Sequence, residues 1–418
     1  LGLIGIMALW LGVMRLAERA GLIQKLARGL CPVMRRLFPG VPNDHPAIGS
    51  MLMNMAANML GLGNAATPLG LRAMRDLERL NPHPGTATNA MCTFLAINTS
   101  SVQLIPTTAI AILVAAGSKN PTAIVGTALL ATLCAATVAI TSVKLLEKLS
   151  WFRVPAERFA AGKDDPGAAE RTSDDSNVQP ANLPSSGAVG ITDPADTGHL
   201  RPWGKALLAL FALFFLALFV RQIFPETLGL SPGTTAPAGS YFVRGVSALS
   251  LLAIPLLLSF FVLYAALRGL KVYDEFVEGA KEGFGVILKI IPFLVTMLVA
   301  IGMFKGAGGI ELLARALAPI LTPLHFPTDL LPIALMRPLS GGATLALFTD
   351  VVHRLGPDNI VSLMAATIYG STETTFYVAA VYFGSVGIKQ TRHAIPAGLL
   401  ADFAGVVASV IICRAVLS

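Results

Sequence analysis

The sequence predicts an all-α polytopic membrane protein, built from two inverted repeats with discontinuous helices plus an inserted helical hairpin. Three observations lead there. Of the 418 residues, 54% are hydrophobic and 13% charged, whereas a soluble domain carries about 25% charged residues; mean hydropathy is +0.68. Apolar runs long enough to cross a bilayer, about 20 residues each, stand at 203–220, 246–267, 286–303 and 394–413. Polar clusters interrupt apolar flanks twice, at Asn98-Thr99-Ser100-Ser101-Val102-Gln103 and at Gly370-Ser371-Thr372-Glu373-Thr374-Thr375-Phe376-Tyr377. A carboxylate with hydroxyl neighbours inside a membrane is costly, and it needs a solvated cavity, a partner or a ligand.

Residues 1–14 form an apolar helix. No basic region precedes Leu1 and no cleavage site follows, so it is expected to be a transmembrane segment clipped at its start, not a signal peptide. Between 15 and 38, apolar Leu16, Ile23, Leu26, Leu30 and Met34 alternate with Arg15, Arg19, Lys25, Arg28, Arg35 and Arg36. That spacing predicts one basic amphipathic helix lying in the interface plane. Over 48–67, Asn54 and Asn58 lie four apart and share a helical face. Gly61, Gly63 and Pro68 are then expected to break the helix beside Asn64. A short charged stretch covers 72–81, 86–97 runs into the first polar cluster, 107–116 resumes the apolar course after Pro106, and 122–143 spans.

Asp, Ser, Pro and Gly dominate 150–201 without apolar periodicity, the pattern of a disordered cytoplasmic linker. Residues 202–270 read as a transmembrane hairpin and 272–283 as an amphipathic connector. Then the first pattern returns: a span at 286–303, an interfacial helix at 310–324, a break at Arg337-Pro338-Leu339-Ser340-Gly341-Gly342, the Glu373 cluster after 361–369, and a last span at 394–413. The expected organisation is a first repeat over 1–149, the linker over 150–201, the hairpin over 202–270 and a second repeat over 271–418.

The repeat has a register. Ile23, Leu26, Ala27, Arg28, Leu30 and Pro32 match Ile310, Leu313, Ala314, Arg315, Leu317 and Pro319 at one offset. Arg79-Leu80-Asn81-Pro82 then matches Arg354-Leu355-Gly356-Pro357, and a further shift lays Thr99-Ser100-Ser101 over Ser371-Thr372-Glu373. Charge suggests inversion. The first half's last span ends in Lys144, Lys148, Arg153 and Arg158, whereas the second half's begins after Lys389 and Arg392. Under the positive-inside tendency, equivalent ends then face opposite sides. Inverted repeats whose broken helices meet at the midplane are a transporter architecture.

Glu373 is the first candidate for chemistry, either accepting hydrogen bonds from a hydroxylated or cationic solute or carrying a coupling proton. Ser371, Thr372, Thr374, Thr375 and Tyr377 would line the same site or, for the hydroxyls, bond back to helix carbonyls. Asn98, Thr99, Ser100, Ser101 and Gln103 suit Na⁺ coordination, solute recognition or interhelical bonding. Asn54, Asn58 and Asn64 flank a helix break whose ends can meet an ion. Arg337, with Ser340 beside it, would neutralise Glu373, bind an anionic group or snorkel. Glu373, Asp402 and Asn98 are the ion-coupling candidates, and Asp402, midway along 394–413, reads equally as a proton carrier or as a hydrogen-bonded structural acid. The six histidines show no metal-ligand spacing, and Cys31, Cys92, Cys134 and Cys413 no pairing motif, so no metal, disulfide or cofactor is expected beyond Na⁺ or H⁺. A net charge of +7 follows the ends of apolar runs and lacks aromatic interleaving, so nucleic acid is not an expected partner. Nothing resembles a nucleotide-binding loop.

Asn54-Met55-Ala56-Ala57-Asn58 through Pro68-Leu69-Gly70, with Asn98-Thr99-Ser100-Ser101-Val102-Gln103-Leu104-Ile105-Pro106, resembles the spore maturation A family. Met336-Arg337-Pro338-Leu339-Ser340-Gly341-Gly342 and the Glu373 cluster resemble the spore maturation B family. The chain looks like a fusion of the two. Each half is also similar to the gate, or nucleoside-recognition, domain shared with ferrous iron transporter B and concentrative nucleoside transporters. Gly370-Ser371-Thr372-Glu373 looks like the nucleoside transporters' Gly-Gln-Thr-Glu, whose glutamate holds the ribose, and Asn98-Thr99-Ser100-Ser101 like their Asn-Phe-Ser-Ser. The resemblance implies that Glu373 and Asn98 face one solute from two gate-type repeats. Ser371 in place of Gln, and Thr374-Thr375 in place of Ala-Pro, are the departures.

The expected function is secondary transport of a small polar solute, nucleoside-like or other, by alternating access coupled to H⁺ or Na⁺. The alternative is a non-transporting membrane scaffold or regulator in envelope or spore maturation. An enzyme is not expected, because no nucleophile–base pair is visible. Membrane lipid and the small polar solute are the expected partners, a homo-oligomer is allowed, and the expected location is the bacterial cytoplasmic (inner) membrane.

Overall fold

The computed structural model describes residues 2–42, 45–60, 63–152, 202–224, 241–281 and 326–417, with isolated positions between 299 and 315. The expected span at 286–303, the interfacial helix at 310–324 and all but the start of the 150–201 linker lie outside them. Every described element is helical. Fourteen α-helices run through these residues, and a single parallel bridge, Thr86 to Gln390, is the one β feature among them.

The first half contributes α1 (Gly2–Arg19), α2 (Leu22–Leu37), α3 (Pro46–Met59), α4 (Gly63–Glu78), α5 (Asn89–Ser100), α6 (Thr107–Ala115) and α7 (Ile124–Leu146). Next come α8 (Pro202–Ile223) and α9 (Tyr241–Leu267). The second half continues with α10 (Leu331–Met336), α11 (Gly341–Leu355), α12 (Ile360–Ser371), α13 (Thr375–Gly384) and α14 (Ala394–Leu417). Four of these, α7, α8, α9 and α14, are long and apolar enough to cross a membrane, so the chain is a multi-pass membrane protein.

Two expectations are corrected. The basic segment 15–38 is not one helix. Gly21 adopts a left-handed backbone, φ 76°, which glycine tolerates without steric cost, so α1 stops at Arg19 and α2 restarts at Leu22. Arg15 and Arg19 then turn to Glu275, at 3.0 and 3.1 Å, on a helical stretch that packs Phe276 across Gly12. Pro68 does not end a helix either. It sits inside α4, in the second turn; the break falls just before, between Met59 and Gly63. At the sixth position of the helix the missing N–H removes one intrahelical bond, so α4 runs through Pro68 at a cost that the rest of the helix offsets.

Among the described residues, two runs of four helices match in length and order. Helices α4, α5, α6 and α7 have 16, 12, 9 and 23 residues, and α11, α12, α13 and α14 have 15, 12, 10 and 24. Their starts are fixed alike: the Thr88 side chain caps α5 and the Asn359 side chain caps α12, each satisfying an orphan helix N–H. The helix ends pair Ser100 with Ser371, one residue off the register expected from the sequence. Helices α7 and α14 pack antiparallel. The start of α7 meets the end of α14 through Thr127, Thr367 and Cys413 (3.0 and 3.2 Å), while Arg392, just before α14, donates to the Phe152 carbonyl just beyond α7. Helix α5, apolar around nearly its whole circumference, buries every residue from Met91 to Ser100, as a central helix must.

Candidate functional site

Two interrupted helices supply the site. Helix α5 ends with Ser101 in the left-handed region, φ 36°, and the chain stays non-helical until Thr107. Helix α12 ends at Ser371, and residues 372–374 are extended before α13 begins. The interruptions touch: the Glu373 backbone N–H donates to the Thr99 carbonyl at 2.7 Å. Neighbouring breaks join them. The Leu104 N–H donates to the Met59 carbonyl at the α3–α4 break, and the Phe376 N–H to the Pro338 carbonyl at the α10–α11 break, both at 3.0 Å. Backbone groups freed by each interruption are therefore satisfied by another, which lets irregular chain persist within a membrane protein.

A cavity of about 270 Å³ opens at this junction. Its polar lining is Asn58, Thr67, Asn98, Glu373, Tyr377 and Tyr382, with Ala66, Val378 and Val381 between them. Glu373 reaches it with 39% of its side chain exposed. Behind it stands Arg337, only 3% exposed, with its guanidinium 4.0 Å from the Glu373 carboxylate and 5.0 Å from the centre of the Tyr369 ring. Gln103 donates to the other carboxylate oxygen at 3.4 Å. Across the cavity, Asn98 Oδ1 accepts from Asn58 Nδ2 at 2.9 Å and from the Tyr382 hydroxyl at 3.5 Å. Asn54 donates to the Ala66 carbonyl (2.7 Å) and to the Tyr382 oxygen (3.2 Å), holding α3, α4 and α13 together one layer back. A larger cavity, about 470 Å³, lies under the 80–90 loop beside Arg392; it has no carboxylate in its lining and is remote from the helix breaks.

The other candidates fall into three places. Thr99 and Ser100 donate to their own helix carbonyls, Leu95 and Ile97. Ser371 bonds Ile368 and meets Ser409 of α14, Thr375 donates to Asp402 at 2.6 Å, and the buried hydroxyls of Ser101 and Thr372 have no hydrogen-bond partner within the protein. Ser340 caps α11 by accepting from the Ala343 N–H, and Thr374 lies against Gly341. The side chain of Asn64 is outside the described residues. Sequence reasoning passed over Tyr382. Its only sequence signal was position: it lies nine residues after Glu373 on the helix that follows the second break. Gly70 shows how closely it is held, since a Cβ there would fall 2.1 Å from its hydroxyl.

Residues 1–119 and 287–389 match the family model described as Gate, nucleoside recognition. Together they make up more than half of the chain. The chain belongs to this gate family. It is 44% identical over 167 residues to spore maturation protein B of Bacillus subtilis, covering 40% of the chain and 94% of that protein. It is also 51% identical over 132 residues to spore maturation protein A of the same organism, covering 32% of the chain and 67% of that protein. No solved structure matches. Both helix breaks of this gate protein lie inside the two matched segments, and so do all the cavity residues.

Proposed function

We propose that this gate protein is a secondary transporter of a small polar solute, bound between the two helix breaks and moved by alternating access of two repeats, 1–149 and 271–418. The observation that carries this reading is the shared cavity: Asn98 from one interrupted helix and Glu373 from its counterpart line one space, joined by the Glu373-to-Thr99 backbone bond. Discontinuous helices meeting around a polar pocket are how inverted-repeat transporters hold substrate. The antiparallel run of α7 and α14, equivalent in element order, supports inversion, as does the placement of basic residues at their ends. The membrane would be the bacterial inner membrane, with 202–270 an inserted hairpin and 150–201 a cytoplasmic linker.

The lining supports one class of solute. A partly exposed carboxylate accepts hydrogen bonds, so the solute presents hydroxyl or amine donors. The exposed Tyr377 ring offers a face for a planar group. A nucleoside or a similar hydroxylated heterocycle combines these features, in keeping with the family's description. Proteoliposomes containing the purified chain should accumulate such a solute from a panel of nucleosides, bases, amino acids and short peptides under a pH or Na⁺ gradient, and Glu373→Gln should abolish it. No accumulation across that panel would favour a non-transporting scaffold in envelope or spore maturation.

A further inference from the structure

Helix α14 carries one acid, Asp402, which is 2% exposed near the middle of the helix. One of its carboxylate oxygens accepts from Thr375 Oγ1 at 2.6 Å. The other, Oδ1, is buried and makes no hydrogen bond of good geometry, and the side-chain group within reach of it is the equally buried hydroxyl of Thr372. The charged groups acting on it from the packed elements are Arg337 and Glu373, which pair with each other at 4.0 Å; among the described residues no ion pair includes Asp402. Helix α5 supplies no acid or base, and the lysine of α7, Lys144, lies at the far end of that helix, toward His393.

We propose that Asp402, clasped by Thr372 and Thr375, is a proton-binding site distinct from the solute cavity, and that its loading is passed to Glu373 through the break they share. An ionised carboxylate buried in a span without a cation is costly. In the neutral acid, Oδ1–H donates to the Thr372 oxygen while Thr375 continues to donate to Oδ2. Loss of the proton turns the carboxylate into an acceptor on both oxygens, and Thr372 must then reverse from acceptor to donor. Thr372 and Thr375 bracket Glu373 in the chain, so any shift in their grip on α14 moves the residue that faces the solute. Two glycines hold the parts at close range. A Cβ at Gly405 would fall 2.6 Å from the Thr372 methyl group, and one at Gly398 would fall 2.8 Å from the Thr375 methyl and 3.4 Å from that of Thr99. Helix α14 is thus pressed against both interruptions with its acid between them.

This proposal rests on the transporter reading, but its test needs no solute. Infrared difference spectra of the full chain in lipid, recorded between acid and alkaline pH, report the carbonyl stretch of a protonated carboxylic acid. Wild type and Glu373→Gln should both show a buried acid band that titrates. Asp402→Asn, whose amide reproduces the donor and acceptor of the neutral acid, should remain folded and lose it. Thr372→Val leaves the carboxyl in place and should shift the band, which keeps the test decisive if Asp402→Asn fails to fold. A band unchanged in both Asp402→Asn and Thr372→Val would overturn the assignment. A band that behaves as expected while no solute is accumulated would leave the proton site standing and refute the transport reading.

Discussion

Asn98 uses both ends of its amide within the protein. Its Nδ2 donates to the Phe94 carbonyl at 2.9 Å, while Oδ1 takes the bonds from Asn58 and Tyr382. Asn98→Ala would strand a donor on Asn58 beside a partly buried cavity, a loss of about 1–3 kcal/mol, readable as a lowered denaturation midpoint of the purified protein. Glu373 is different. It is more than one-third exposed, which screens its attraction for Arg337, but Arg337 is only 3% exposed and would be left facing a neutral amide, so replacement by Gln should cost more than the roughly 1 kcal/mol of a fully exposed pair. The melting temperature of the same variant separates loss of the site from loss of the fold. At this scale the sequence was partly legible. An acid flanked by hydroxyls in an apolar setting identifies Glu373, because such groups are too costly to keep without a use. It could not say which hydroxyls turn toward the cavity. Thr99 and Ser100 bond back to their own helix, and only the backbone path decides that.

Among the elements, the interrupted helices organise the molecule, and their interruptions were readable from clustered Asn, Thr, Ser and Gly between apolar runs. The bend at Gly21 and the passage of α4 through Pro68 were not. A glycine in a basic amphipathic pattern is silent until its φ is known, and a proline is harmless or disruptive according to how many turns precede it. The start of α14 carries a separate prediction. His393 is fully buried against the Phe152 ring, with neither ring nitrogen hydrogen-bonded within the protein. Burial, aided by the positive charges of Arg392 and Lys144, pushes its pKa down from 6.5 to about 4. Between those values the folded state binds fewer protons than the unfolded chain. The contribution to stability is complete above about pH 6.5 and is lost as pH falls toward 4. Melting temperature should fall over that interval, and the fall should be shallower in His393→Gln.

For the whole molecule, the membrane class follows from composition and the length of apolar runs, and it is independent of any detail of packing. The pairing of halves was visible only as a faint register, since apolar helices of unrelated origin resemble one another. What supports the proposed pairing in three dimensions is the antiparallel packing of α7 on α14. That packing puts Lys148 and Lys389 at the same end of the helix pair, and inversion then places them on one side of the membrane. Single cysteines at the two positions, in a background with the four native cysteines replaced, should be labelled by an impermeant maleimide from the same face. Labelling from opposite faces would rule out inversion.

The most direct test of the shared solute site is thermal stabilisation of wild type and Glu373→Gln by nucleosides, bases, amino acids and short peptides, with and without Na⁺. A solute that binds only the folded state raises the melting temperature by mass action, about 2.7 kcal/mol at a hundred times its dissociation constant. A member of the panel should stabilise the wild type and lose that effect in Glu373→Gln, which would put the carboxylate in contact with it. Equal stabilisation of both proteins would contradict a site built on Glu373.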